Sequence, residues 1–141
     1  MMTAAVIKGF LISAVAMSLA CTWPPAALSE SKNVEVEVVA GGFATPWAIA
    51  FASDGRIFVT ERPGRIRIIK NGKLQTEPWM EIDAYETGEA GLMGLALDPE
   101  FSRNRFVYAA YTYRDSNGRL KNHLVRLRED TATGKGMMDK V

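Results

Sequence analysis

Past Glu30 the chain is a succession of short apolar runs, each cut by residues that favour tight turns. Ser53-Asp54-Gly55, Pro63-Gly64, Asn71-Gly72, Asp98-Pro99 and Asp115-Ser116-Asn117-Gly118 interrupt the runs WAIAF, RIFVT, RIRII, LMGLAL, FVYAAYTY and HLVRL. Turn signals at intervals of roughly 8–12 residues leave room for strands and little else. Asn-Gly is in addition a strong two-residue hairpin signal. No long 3.6-residue period follows the N-terminal segment, so all-α and βαβ folds are excluded.

The side-chain pattern says how these strands are used. VEVEVV, residues 34–39, alternates apolar with acidic and is expected to be a half-buried strand. In RIRII, Ile66 and Ile68 share one face and Arg65 and Arg67 the other, so one face is expected to be packed and the other wet. FVYAAYTY is apolar or aromatic on both faces and expects cover on both. Small antiparallel sheets stacked face to face supply that cover, as in a sandwich or the blades of a propeller. There is material for one four-stranded sheet and most of another, while EDTATGKGMMDKV enters a turn and then a strand that does not develop. The expectation is the N-terminal part of a longer protein or a truncated product, the alternative being a small complete sandwich with a frayed C-terminus.

The first residues read differently. Lys8 precedes GFLISAVAMSLA, an apolar stretch of signal-peptide length followed by small residues. Residues 1–29 are expected to be a signal peptide and its cleavage region, and 30–141 the mature segment. Cleavage after AALS gives a soluble product. SLAC, ending at Cys21, is the disfavoured lipoprotein alternative, because Leu19 stands one place too close to Cys21 for a lipobox. Cys21 is the only cysteine, which excludes an intrachain disulfide. The expected location is periplasmic or secreted.

Charge excludes one class of partner. The formal net charge is +1, and losing Lys8 with the leader removes it. Balanced charge gives no electrostatic basis for nucleic-acid binding. The 141-residue length and 48% hydrophobic content suit a folded domain.

Sites of familiar chemistry are mostly missing. His123 is the single histidine and is expected at a surface or strand end, and no Cys/His set suits a metal. Glu81, Asp83 and Glu86 lack the spacing of a helix-loop-helix calcium loop and are expected to be solvated. The run TGEAGLMGLALDPEF, residues 87–101, is neither a phosphate loop nor a dinucleotide fingerprint. Its glycines, Gly88, Gly91 and Gly94, remove side chains around one carboxylate, Glu89. That lets backbone approach a ligand or a neighbouring strand. From spacing alone, turn formation and sheet packing with a solvated Glu89 is the favoured reading.

TPWAIAFASDGRIFVTERPGRIRIIKNGK, GEAGLMGLALDPEF, NRFVYAAYTY and NHLVRLR together resemble the N-terminal portion of the glucose/sorbosone dehydrogenase family, the soluble pyrroloquinoline quinone (PQQ)-dependent aldose sugar dehydrogenases. The resemblance runs from about Val34 to about Val141. It implies an all-β six-bladed propeller, of which this chain supplies roughly the first one to two blades. It also implies oxidation of an aldose at C1 to the lactone, with PQQ and calcium as cofactors, an external electron acceptor, and export. Glu89 falls where the family carries a Gln or Glu facing sugar and cofactor, so the resemblance implies that Glu89 binds substrate and points into a central pocket. Trp47, Glu61 and Arg62 also match, and are assigned to packing and ion pairing.

The family's general-base histidine, its PQQ-holding basic residues and its calcium loop lie downstream of the region present here. No catalytic and no metal-binding residue is therefore assigned in this chain, its cofactor-binding residues stay unknown, and the polypeptide alone is expected to be inactive. The alternative is a non-catalytic exported propeller-like module that binds carbohydrate or protein on the same scaffold.

Overall fold

In the computed structural model, residues 34–141 are described. The leader, its cleavage sites and Cys21 lie outside them. Two antiparallel sheets follow one another along the chain. The first contains β1 (Pro46–Phe51), β2 (Ile57–Glu61), β3 (Arg65–Lys70) and β4 (Lys73–Leu74) in sequence order, with β5 (Met80–Glu81) pairing with the far end of β3. A one-turn helix, α1 (Phe101–Asn104), sits between β6 (Leu92–Leu97) and β7 (Phe106–Arg114). These two strands, β8 (Leu120–Glu129) and β9 (Gly136–Lys140) make the second sheet, again in sequence order.

The turns lie where the sequence marks them. Asn71 and Gly72 both take positive φ, 53° and 69°, the requirement of a type I′ hairpin between β3 and β4. Asp115 closes the β7–β8 turn by accepting the backbone N–H groups of Asn117 and Arg119 through its side chain. Asp98 does the same around α1: its carboxylate takes the Glu100 N–H, the Asn104 amide and the Tyr108 hydroxyl. Asp98 is held below the usual carboxylate range by these bonds, the Asn104 amide contributing most.

Inner faces of the two sheets meet in one core. Phe58, Ile66 and Ile68 from the first sheet face Val107, Ala109, Val125 and Leu127 from the second, with Leu92, Trp79 and Phe101 filling the margins. Phe58 packs edge-on against Trp79 and Phe101, with ring centroids 5.3 and 5.6 Å away. Each fully buried residue of this size contributes roughly 1.5–3 kcal/mol by leaving water. Stacked small sheets, and burial of Ile66 and Ile68, agree with the sequence pattern.

Three expectations need correction. Residues 34–39 form no strand, and Val34, Val36 and Val38 are exposed. Their alternation is right for a sheet edge, but no strand among the described residues pairs with them, and an unpaired strand has nowhere to place its backbone hydrogen bonds. The arginine face of β3 is not wet: Arg67 is 9% exposed and donates to the carbonyls of Gln75 and Thr76, at 2.9 and 3.3 Å, and to Glu61. A carboxylate on the adjacent strand lets that face be buried. Finally, the terminal strand does develop. β9 pairs antiparallel with β8 and completes a four-stranded second sheet.

FVYAAYTY is covered unequally. Val107, Ala109 and Tyr111 are buried between the sheets. On the other face Phe106 lies beneath the guanidinium of Arg126, 4.2 Å from the ring centroid, and neighbouring Leu124 is 71% exposed.

Candidate functional site

Glu89 belongs to the connection between the sheets, which backbone hydrogen bonds tie down at both margins. Ile82 donates its N–H to Gly64 O and Tyr85 to Thr112 O, each at 2.8 Å. At the far end Leu92 donates to Arg62 O and Thr112 to Gly91 O, each at 2.9 Å. Gly91 makes this possible. Its φ is +145°, and a Cβ there would stand 2.5 Å from Arg62 O, so only glycine allows β6 to start against the first sheet.

Between these anchors Thr87 and Ala90 form an isolated bridge around Gly88 and Glu89. Ala90 N–H reaches Thr87 O at 2.7 Å, and Gly88 takes φ +51°. Glu89 is thus the tip of a tight turn. It is exposed, and its carboxylate makes no hydrogen bond or ion pair among the described residues. Gly94 serves packing, since a Cβ on it would come within 2.9 Å of Ala110 Cβ across the sheet. The three glycines therefore do the work expected of them in turn and sheet, and the acid they surround is left presented to solvent.

The neighbouring matched residues are structural. Glu61 is 0% exposed and accepts from the Ala44 N–H at 2.7 Å, Arg65 Nε at 2.6 Å and Arg67 Nη1 at 3.4 Å. Hydrogen bonds on both oxygens offset the desolvation of this buried charge. Arg62 pairs with Glu86 at 3.2 Å and lies over the Trp47 ring, 5.7 Å from its centroid. Ion pairing, the role expected of Glu61 and Arg62, is observed, whereas Trp47 is 47% exposed and meets Arg62 instead of the core. Glu81 and Asp83 are exposed, and Glu86 is exposed but paired to Arg62.

His123 is more engaged than its sequence neighbourhood suggests. Its register on β8 sets it directly opposite Tyr111 on β7. Tyr111 Oη and His123 Nδ1 are 3.1 Å apart, and the imidazole stacks on Tyr113 with centroids 3.8 Å apart and planes 23° from parallel. Burial, then the nearby Asp83 charge, push the Tyr111 phenol above its ordinary range. The signal that could have found this cluster is the cross-strand register of FVYAAYTY with NHLVRL, which needs the turn between them to be placed first.

At the opposite end of the sheets lies a closed ionic cluster. Glu129, buried at the end of β8, accepts from Trp79 Nε1 at 3.1 Å and from both terminal nitrogens of Arg56 at 2.5 and 3.1 Å. Arg56 also binds Asp54 at 2.7 Å. Burial opposes the Arg56 charge, but its bonds to Glu129 and Asp54 win and raise its pKa. Trp79 and Arg56 belong to the first sheet's segment and Glu129 to the second, so the cluster clamps the two together.

The sequence model of the glucose/sorbosone dehydrogenase family matches residues 43–140. This chain belongs to that family. Among solved structures, a Thermus thermophilus protein described as a candidate oxidoreductase (glucose dehydrogenase) is 44% identical, with a TM-score of 0.65 over 74% of this chain and 30% of that one. The PQQ-bound aldose sugar dehydrogenase of Streptomyces coelicolor is 27% identical, with a TM-score of 0.63 over 75% of this chain and 32% of that one. Hedgehog-interacting protein of Mus musculus is 29% identical over 111 residues, 71% of this chain and 16% of the relative. The chain spans less than a third of the length of the curated relatives it matches. Its two sheets correspond to about 30% of the six-bladed propeller structures in the family, which makes the fold class all-β propeller.

Proposed function

We propose that this chain is part of an exported enzyme that oxidises an aldose at C1 to the lactone, using PQQ with calcium and passing electrons to an external acceptor. The observation that carries this reading is Glu89, a carboxylate without a hydrogen-bond or ion-pair partner among the described residues, held at the tip of a glycine turn in the motif the family resemblance singles out. An exposed carboxylate can accept several hydrogen bonds from sugar hydroxyls without first breaking bonds of its own. The PQQ-bound structure of the Streptomyces coelicolor relative supports the cofactor.

The described residues do not by themselves fit either cofactor. No group of three or more His, Cys, Asp or Glu among them is placed to hold a metal ion. PQQ carries carboxylates that call for uncommitted cations, whereas near the turn Arg62 is engaged by Glu86 and Arg114 donates to Gly118 O while lying over Tyr85. No chemical step is assigned through the quinone or the metal on these residues. What this chain contributes in the proposal is the sugar-facing acid and the two sheets that fix its position.

The test is dye reduction with glucose and a panel of aldoses, after reconstitution with PQQ and calcium, on this chain and on any longer reading frame that contains it. The expected result is activity in the longer protein only, depressed by Glu89→Ala. A longer protein that neither binds PQQ nor oxidises aldoses sinks the proposal. It would favour the second reading, a non-catalytic exported binding module, which the similarity to Hedgehog-interacting protein supports. Release by osmotic shock is the expected outcome for export as a soluble product, whereas extraction by detergent alone would point to lipid at Cys21.

A further inference from the structure

A second feature at the Glu89 end is independent of that turn. The loop Asp83–Tyr85 and the end of β7 enclose a cleft of about 290 Å³ lined by Asp83, Ala84, Tyr85, Tyr111, Tyr113 and Arg114. Glu89 is not part of it. We infer that this cleft, walled by Tyr85, Tyr111 and Tyr113 with Asp83 and Arg114 at its margin, binds the ring of a neutral saccharide.

Size comes first. The volume lies at the low end of small-molecule sites, which suits a single sugar ring. The lining comes second. Tyrosine offers an apolar ring face for the C–H face of a pyranose and a hydroxyl that both donates and accepts. Asp83 adds an acceptor, and Arg114 adds the donors left over from the Nη1 that binds Gly118 O, the two group types that adjacent sugar hydroxyls need. Their charges are opposite and share one small cleft, which disfavours a polyanion and suits an uncharged ligand rich in hydroxyls.

The wall is also set before any ligand arrives. His123 stacks on Tyr113 and hydrogen-bonds Tyr111, so one imidazole fixes two rings. Tyr85 is held by its backbone bond to Thr112 and by the Arg114 guanidinium, 4.2 Å from its ring centroid. Side chains already ordered lose little freedom on binding. His123 is thus a positioning residue for this cleft.

This inference does not rest on the dehydrogenase reading, and the probe separates the two. Methyl α-D-glucopyranoside has its C1 hydroxyl blocked, so it cannot be oxidised to a lactone but still presents a pyranose ring. Titration of the protein with this glycoside, followed by saturation transfer between tyrosine ring and sugar protons, is expected to give saturable binding. Tyr113→Ala should weaken it by about tenfold through loss of ring contact, while Tyr113→Phe keeps the wall and most of the binding. Asp83→Asn should weaken it less. If Tyr113→Ala fails to fold, Tyr85→Ala removes a more exposed ring and serves in its place. No saturable binding, or binding lost with Glu89→Ala and kept without the Tyr113 and Tyr85 rings, would overturn the inference.

Discussion

The two ends of this pair of sheets spend their charges in opposite ways. At the Glu129 end, Arg56 and Trp79 close on one buried carboxylate with bonds that run between the sheets, and Asp54 holds the other side of Arg56. At the Glu89 end, Glu89 stands exposed and without a pair among the described residues, and Asp83 is exposed beside a cleft. Buried polar groups with all their partners in the fold serve stability, whereas groups left without partners are available to a ligand. The contrast therefore assigns holding to one end and presenting to the other.

Substitutions should break or sharpen that contrast in a definite order. The largest effect belongs to the core that both ends share: Ile68→Asp buries an unpaired charge between the sheets and should abolish cooperative folding, read as loss of a thermal transition. A soluble variant with a sharp melt would refute the strand register. Next comes the clamp. Glu129→Ala strips the acceptor from Trp79 and Arg56 and should cost about 3–5 kcal/mol in urea denaturation. A loss no greater than that of an ordinary surface substitution would erase the distinction between the ends.

Acid should act on the clamp more gently. The Arg56 side-chain hydrogen bond holds Asp54 below its ordinary value of 3.8 in the folded protein. Since the folded value is the lower one, the contribution of Asp54 is complete above 3.8 and fades as pH falls through the depressed value. Asp54→Asn should remove that portion of the acid destabilisation, measured by melts across this range, and an unchanged profile would detach Asp54 from the clamp. The smallest stability effect is expected at the presenting end. Glu89→Ala should alter stability by less than about 0.5 kcal/mol while depressing aldose turnover in the complete protein. A large stability loss with normal turnover would move Glu89 to the holding class.

How far these roles could be read in advance depended on the range of the interaction. Asn71-Gly72 and Asp115 act within a few residues of themselves, and their turns stand where the sequence puts them. Ile66 and Ile68 reveal their face by alternation. Arg67 misleads, because its burial depends on Glu61 one strand away, and a period-two pattern carries no information about the neighbouring strand's charge. Residues 34–39 mislead in the opposite sense: the pattern is that of a strand, but pairing needs a partner that the described residues do not contain. Glu129 and His123 were the least legible. Glu129 acquires its role from Arg56, 73 positions earlier, and His123 from a cross-strand register. The turn holding Glu89 was legible as glycine spacing, and its meaning came only from the family resemblance.

Gly91 and Glu89 stand two positions apart under very different rules. At Gly91 any side chain collides with the Arg62 carbonyl, so mutation there is filtered by the fold itself. At Glu89 the side chain is exposed and its carboxylate makes no hydrogen bond or ion pair among the described residues, so an amide, a hydroxyl or a shorter acid can replace it without breaking a bond of the fold. A lineage carrying this turn can revise the chemistry at its tip by single steps while inheriting the geometry unaltered, so the mutational freedom of the position is itself a product of the glycine beside it.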